Sequence, residues 1–405
     1  MNISPTLAIN QLTRKRINNG METFKLGFGQ SPFPVPDILI QKLQEFAHVK
    51  DYLPTQGLPQ LRESIASYHS AKSGHTISPE QVVVGPGSKE LIFLTQLSLN
   101  RDLVLPSPSW VSYAPQARLL DKPLHWIHTS SGDDWKLNAE KLDAFLNSNK
   151  STSFFTILNN PNNPSGMTYS EKEVKDLSEI ARKHDLIIVS DEIYSEFDFN
   201  EKHINFSSHY PEGTILCNGL SKWCGAGGWR LGYMIFPEEL NDLKIKVIQA
   251  GSETYSCASA PVQFAATQAF QGHPEIIHYT KTANAILKYV SNYIQENLDE
   301  TKIKMKLPQG GFYGFLLFNK EYFGDDNSAS LCKRILNETG VALLPGSAFG
   351  RKPQELSARI AYVDFNGELI YNSDIIEDSA NRSLYLEIPK IREAVHRLNN
   401  LNTIN

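Results

Sequence analysis

Cysteine is scarce in this chain. Four occur in 405 residues, at Cys217, Cys224, Cys257 and Cys332, and none is in CxxC spacing. Neither a zinc site nor a disulfide framework is expected from that pattern, and it points to a reducing, cytoplasmic setting. Long apolar runs are missing too. No run of about 18 apolar residues suggests a membrane-spanning helix, and residues 1–30 hold no apolar leader segment. Basic charge is not in excess: 39 Lys and Arg stand against 44 Asp and Glu, a net charge of -5. Nucleic acid and anionic membranes are therefore not expected partners. The short cluster Arg14-Lys15-Arg16 reads as the solvated face of a helix. Two phosphate-binding fingerprints are also absent, the P-loop GxxxxGK pattern and the dinucleotide GxGxxG. No internal repeat or low-complexity tract is visible.

What is present is alternation. Short apolar runs at 81–84, 103–105, 154–158, 186–189, 214–217 and 233–236 read as buried strands. Helical patterns fall at 4–20, at 38–46 behind a capping Asp37, at 60–71 behind Pro59 and at 170–183 with Ser170 as cap. Residues 24–29 read as a further short strand, followed by the extended segment Pro32-Phe33-Pro34-Val35-Pro36. Strands alternating with amphipathic helices predict an α/β fold, a mostly parallel sheet covered on both faces. A long helix over 276–297 then leads to strands at 302–307, 314–318, 341–344 and 358–363, helices at 330–339 and 389–401, and a polar, irregular stretch at 366–382. This predicts a large domain over 37–297. A smaller α+β domain is formed by 298–405 together with an N-terminal arm, 1–36.

Ligands of such sheets gather beyond the carboxyl ends of the strands, and there the loops carry unusual side chains. They include Gly87-Ser88-Lys89, Trp110, Asn163, Asp191 to Tyr194, and Ser221-Lys222. Strand, glycine turn and helix start at 85–90 either aim backbone N–H groups at an anion or make an ordinary tight βα turn. Lys222 precedes Arg230 by eight residues. A lysine among apolar neighbours can become a nucleophile, and an arginine suits a phosphate. An imine-forming lysine with a phosphate-holding arginine is what a pyridoxal phosphate site requires. Each residue also has a plainer reading taken alone. Asp191 suits a helix cap, Trp110 a core aromatic, Lys89 a solvated helix start and Arg359 a surface salt bridge.

Taken together and in order, the motifs resemble the class I aminotransferases, pyridoxal phosphate enzymes of fold type I. Asn163-Pro164-Ser165-Gly166 is similar to the family's NP[TS]G loop, and Asp191-Glu192-Ile193-Tyr194 to its DE-x-Y strand end. Ser221-Lys222 with Gly228-Trp229-Arg230-Leu231-Gly232 is similar to its SK…GWR-x-G pattern, and 308–313 to its PxGxFY segment. The resemblance implies roles. Lys222 forms the imine with the cofactor aldehyde and then shuttles a proton. Asp191 pairs with the ring nitrogen, Asn163 and Tyr194 with the phenolic oxygen, and Trp110 with the ring face. Gly87, Ser88, Lys89, Ser221 and Arg230 hold the phosphate, and Tyr52 reaches the phosphate of a neighbouring subunit. A homodimer with shared active sites follows. Arg359 grips the substrate carboxylate, with the Gly29 backbone, Asn163 and Trp110 beside it. No metal is called for.

The run Ser4-Pro5-Thr6-Leu7-Ala8-Ile9-Asn10 resembles the prokaryotic aspartate and prephenate aminotransferase branch. There a lysine matching Lys89 helps bind a distal carboxylate, which implies a dicarboxylic amino donor and 2-oxoglutarate as acceptor. Four departures concern the side-chain pocket: Ser31-Pro32 in place of Pro-Asp, Gly219 in place of Ser or Thr, the small residues 224–227, and a long 365–386 segment. A β-lyase on the same fold, or a non-catalytic cofactor-binding module, are the alternative readings.

Overall fold

A strand buried on both faces needs cover on both sides, and the chain between residues 82 and 235 supplies it. The computed structural model describes residues 4–324, 327–372 and 381–401. Seven strands form one sheet: β1 (Val82–Gly85), β2 (Asp102–Ser107), β3 (Leu124–His128), β4 (Phe154–Asn159), β5 (Ile187–Asp191), β6 (Thr214–Gly219) and β7 (Gly232–Ile235). Their order is β1-β7-β6-β5-β4-β2-β3. β7 alone runs against the rest, antiparallel to both β1 and β6. Successive residues of β5 face opposite sides. Ile187 and Val189 pack with Leu105, Phe155 and Met234; Ile188 packs with Val104, Leu158, Val174 and Leu177. Each such buried aliphatic side chain contributes roughly 1.5–3 kcal/mol.

A second, antiparallel sheet comprises β8 (Ile303–Met305), β9 (Tyr313–Phe318), β10 (Leu344–Pro345) and β11 (Ser357–Ala361), in the order β10-β11-β9-β8. The helix Pro274–Asn297 joins the two sheets, and its Ile286, Val290 and Ile294 share one core with Leu316, Ile360 and Ile391.

Several expectations need correction. Residues 24–29 form no strand. Phe24 makes a single bridge to Val341, and the Lys25 N–H is taken by the Asp364 carboxylate at 2.7 Å instead of by a neighbouring strand. The expected strand at 341–344 accordingly shrinks to that bridge and β10. Asp37 does not cap the next helix. Pro36 holds the cap position of Asp37–Phe46, and Glu275 accepts the free Ile38 N–H at 3.0 Å. The edge strand β3 and the helices Tyr113–Leu119 and Ala139–Ser148 were not singled out in the sequence, although Asn138 caps the last of them. In the stretch read as irregular, Gly367–Tyr371 is helical, and residues 373–380 lie outside the described residues. Ser170 does cap Glu171–Lys183, in a reciprocal capping box with Glu173.

Candidate active site

The carboxyl ends of β4, β5 and β6 lie side by side, with Asn159 opposite Asp191 and Asp191 opposite Cys217. Between these three strands the ladder closes with the Asn160 N–H on the Asp191 carbonyl and the Glu192 N–H on the Cys217 carbonyl, and the side chains around those ends open into one cavity of about 560 Å³. Its wall combines the strand ends of the large sheet with Phe28 to Gln30 of the arm, Ser4, Thr6 and Leu7 of the first helix, and Tyr313 and Arg359 of the small sheet.

Asp191 is buried at the centre. Tyr113 donates to its Oδ2 at 2.5 Å, and the Ile193 N–H reaches its Oδ1 at 3.3 Å. Burial pushes its carboxyl up to about 6 against that hydrogen bonding. The local turn at Ile193 is the cap-like part of its role. Asn159 spans the loop below, donating to the Asp191 carbonyl at 2.8 Å and accepting the Asn163 N–H at 2.6 Å. That bond sets Asn163, whose Oδ1 accepts from Arg359 Nη1 at 3.1 Å.

Lys222 follows β6, and its Nζ donates to the Gly29 carbonyl at 2.9 Å. Arg230 has a left-handed backbone, φ 56°, and its guanidinium donates to the Gly227 and Pro86 carbonyls at 3.0 and 3.3 Å. Gly87 makes this approach possible: a Cβ there would lie 2.1 Å from Arg230 Nη2. Ser88 and Lys89 open the helix Ser88–Ser98 beside it. Desolvation, then the like charges of Arg230 and Lys222, hold the Lys89 ammonium below its usual range. Its Nζ lies 5.0 Å over the half-buried Trp110 ring, which packs edge-on against Tyr113.

Arg359 is 1% exposed and forms no surface salt bridge. Nη2 donates to the Gly27 carbonyl at 2.7 Å, while Nε is buried without a partner. Among the described residues no carboxylate pairs with Lys89, Lys222, Arg230 or Arg359. The cavity therefore has four cations and one acid, Asp191, in its wall. Arg359 is the buried one of the four, and a buried cation without a counter-ion is costly unless an anion binds to compensate it.

The structure brings together every expected site residue of this chain but one. Gly29, Ser88, Lys89, Trp110, Asn163, Asp191, Tyr194, Ser221, Lys222, Arg230 and Arg359 line the cavity, and Gly87 abuts it. Tyr52 does not: it is 89% exposed and stands outside. Tyr113 and Asn159 were not singled out in the sequence, although Tyr113 follows Trp110 by three residues and Asn159 ends an apolar strand. A second cavity, about 530 Å³, lies behind β5, but its Glu192 is engaged by His203 and its Glu196 by Lys72 and Tyr68. Among the described residues no cluster of three or more His, Cys, Asp or Glu side chains could hold a metal ion.

The sheet order and the strand-end lysine are those of a fold type I transferase. The chain belongs to the aminotransferase class I and II family, whose description matches residues 22–365. It is 31% identical to the asparagine–oxo-acid transaminase of Streptococcus mutans over 86% of this chain and 90% of that one. It is 29% identical to the aspartate aminotransferase of Thermotoga maritima over 94% and 97%. Aspartate aminotransferase from Thermus thermophilus with maleate superposes with a TM-score of 0.85 at 23% identity, covering 99% of this chain and 97% of that one. The protein is thus an aminotransferase, moving an amino group between amino and 2-oxo acids, and the β-lyase and binding-module readings are not favoured.

Proposed function

We propose that the cavity holds pyridoxal 5'-phosphate through Lys222 and transfers the amino group of a dicarboxylic L-amino acid to 2-oxoglutarate. The imbalance of four unpaired cations against one buried carboxylate carries this reading. It matches a ligand pair with a phosphate, a carboxylate and one cationic ring nitrogen. Once bound, pyridoxal phosphate supplies a conjugated, protonated ring that draws the electrons of the substrate Cα–H bond.

The chain does the rest. The Ser88 and Lys89 backbone, the Ser221 side chain and Arg230 bind the phosphate, with Gly87 keeping the approach open. Asp191, set by Tyr113, keeps the ring nitrogen protonated. Asn163 and Tyr194 reach the phenolic oxygen, and Trp110 covers the ring face. Arg359 offers a planar fork to the substrate carboxylate, beside the Gly29 backbone. Lys222 would hold the cofactor, and its free amine would take the substrate Cα proton and redeliver it as general acid. Two half-reactions on one site require ping-pong kinetics. Lys222→Ala should abolish turnover and leave no cofactor that borohydride can fix to the chain; survival of either refutes the assignment.

The dicarboxylic donor rests on Lys89, which faces the cavity, and on relatives named for aspartate and asparagine. Lys89→Leu should cut kcat/KM for aspartate about tenfold or more while sparing alanine, a charge-assisted contact being worth ~1.5–3 kcal/mol. Equal losses on both donors would remove the distal-carboxylate role.

The domain division at 37–297 is supported by the two sheets, each confined to its own stretch, and by the arm's bonds to Val341 and Asp364. A homodimer, with Tyr52 of the partner subunit completing each phosphate site, is consistent with the exposure of that ring. That Cys217, Cys224 and Cys257 stand as thiols suits the cytoplasm.

A further inference from the structure

Tyr313 touches three parts of the site at once and has no role in the scheme above. It opens β9, is 3% exposed and lies within the cavity wall. Its hydroxyl accepts from the Tyr194 hydroxyl at 3.1 Å and lies 3.5 Å from the Gly29 carbonyl oxygen. Contact with the arm is so close that a Cβ on Gly29 would meet this hydroxyl at 1.9 Å. The Arg359 guanidinium sits 4.4 Å from the Tyr313 ring centroid, with the Phe349 ring at 5.2 Å as its other aromatic neighbour.

Those contacts answer a specific problem. A carboxylate binding site needs its guanidinium held rigidly, yet a protein carboxylate holding it would compete with the substrate. A ring face attracts the cation without neutralising it. The two hydrogen bonds of Arg359, to Gly27 and Asn163, go to uncharged oxygens and leave the charge equally available. The hydroxyl of Tyr313 addresses a second group. Tyr194 is buried, and Tyr313 is the side chain its hydroxyl bonds in this structure. Phenol protons rotate, so Tyr194 can turn its proton to a ligand while Tyr313 donates to it in return.

We propose that Tyr313 is a positioning residue for transamination: its ring presents Arg359 to the substrate carboxylate, and its hydroxyl fixes Tyr194 and sets how strongly that phenol donates. This rests on the roles given above to Arg359 and Tyr194. Two variants separate the two functions. Tyr313→Phe keeps the ring and removes the hydroxyl. Tyr313→Leu removes both, and Tyr313→Met takes its place if the leucine chain does not fold.

Each loaded enzyme is read in two ways. One is KM and kcat for the amino donor that the wild type converts fastest. The other is the pH midpoint of the bound-cofactor absorbance without substrate. In the phenylalanine enzyme KM should stay within about threefold of wild type, while the absorbance midpoint moves by about half a pH unit or more. In the leucine or methionine enzyme KM should rise about tenfold with a smaller fall in kcat. A wild-type KM without the ring overturns the ring's role, and a wild-type midpoint in the phenylalanine enzyme overturns the hydroxyl's. A wild-type chain that binds no cofactor chromophore fails the cofactor assignment itself, before any variant is made.

Discussion

A carboxylate buried without an ion-pair partner is expensive, and Asp191, on which Lys222 acts only weakly from a distance, is in that position. Its folded pKa is about 6 against an ordinary 3.8, because burial outweighs the Tyr113 hydrogen bond. Between those values the folded chain holds a proton that the unfolded chain has released. The cofactor-free protein therefore loses stability as pH rises from about 4 to 6. The penalty is absent below the unfolded value and complete above the folded one, on the order of 3 kcal/mol. Asp191→Asn removes it. In urea titrations of cofactor-free protein, the variant should gain on wild type between pH 4.5 and 7, with other titrating groups cancelling in the difference. An equal gap at both pH values would contradict the assignment of this cost to Asp191. Arg359 poses the opposite case, a buried cation held by neutral oxygens and ring faces. Cost at both residues is relieved by ligands of opposite charge, which ties affinity to the same burial that destabilises the empty site.

At the scale of elements, the site depends on where strands stop. β4 and β5 end in register and β6 runs two residues further, which places Asn159, Asp191 and the loop to Lys222 beside one another. The helices behind them hold the sheet flat against its two cores and need not touch the ligand. Glu171–Lys183 is such a helix: Val174, Leu177 and Ala181 are buried under β5, and its start depends on Ser170 and Glu173. Ser170→Ala should cost about 1 kcal/mol, lowering the melting temperature by a few degrees at most. Because neither residue lines the cavity, kcat and KM should remain at wild-type values. A loss of activity at an unchanged melting temperature would show that the cap, and not only the strand, sets the loop geometry.

For the whole molecule, the proposed assembly turns on Tyr52. A tyrosine with 89% of its surface in solvent contributes nothing to this chain's cavity. In the proposed dimer it completes the other subunit's phosphate site. Hybrids of a Lys222→Ala chain and a Tyr52→Leu chain give a decisive result. One of the two sites in such a hybrid carries both native residues, so its activity should exceed that of either parent dimer. Activity no higher than the better parent would place Tyr52 in its own chain's site or in none. Among the described residues no helix is long and apolar enough to cross a membrane.

The alternation of apolar strands with amphipathic helices determined the α/β layering, because periodicity is a local property that burial enforces residue by residue. Lys222, Asp191, Asn163 and Arg230 were legible for a related reason: each sits at a fixed offset from a strand end, within a short motif. Segment 24–29 was not legible as a crossing arm. Its apolar residues look like a strand, and only the distant partners Val341 and Asp364 decide that its backbone pairs once and moves on. Arg359 could be named from its strand, but its lack of a counter-ion depends on every element packed around it. Tyr113 carried no such signal, and the motif at 308–313 marked the stretch ending in Tyr313 without giving that residue's partners. Their hydroxyls meet Asp191 and Tyr194 across 78 and 119 residues of chain, and a contact at that separation exists only once the sheets have closed.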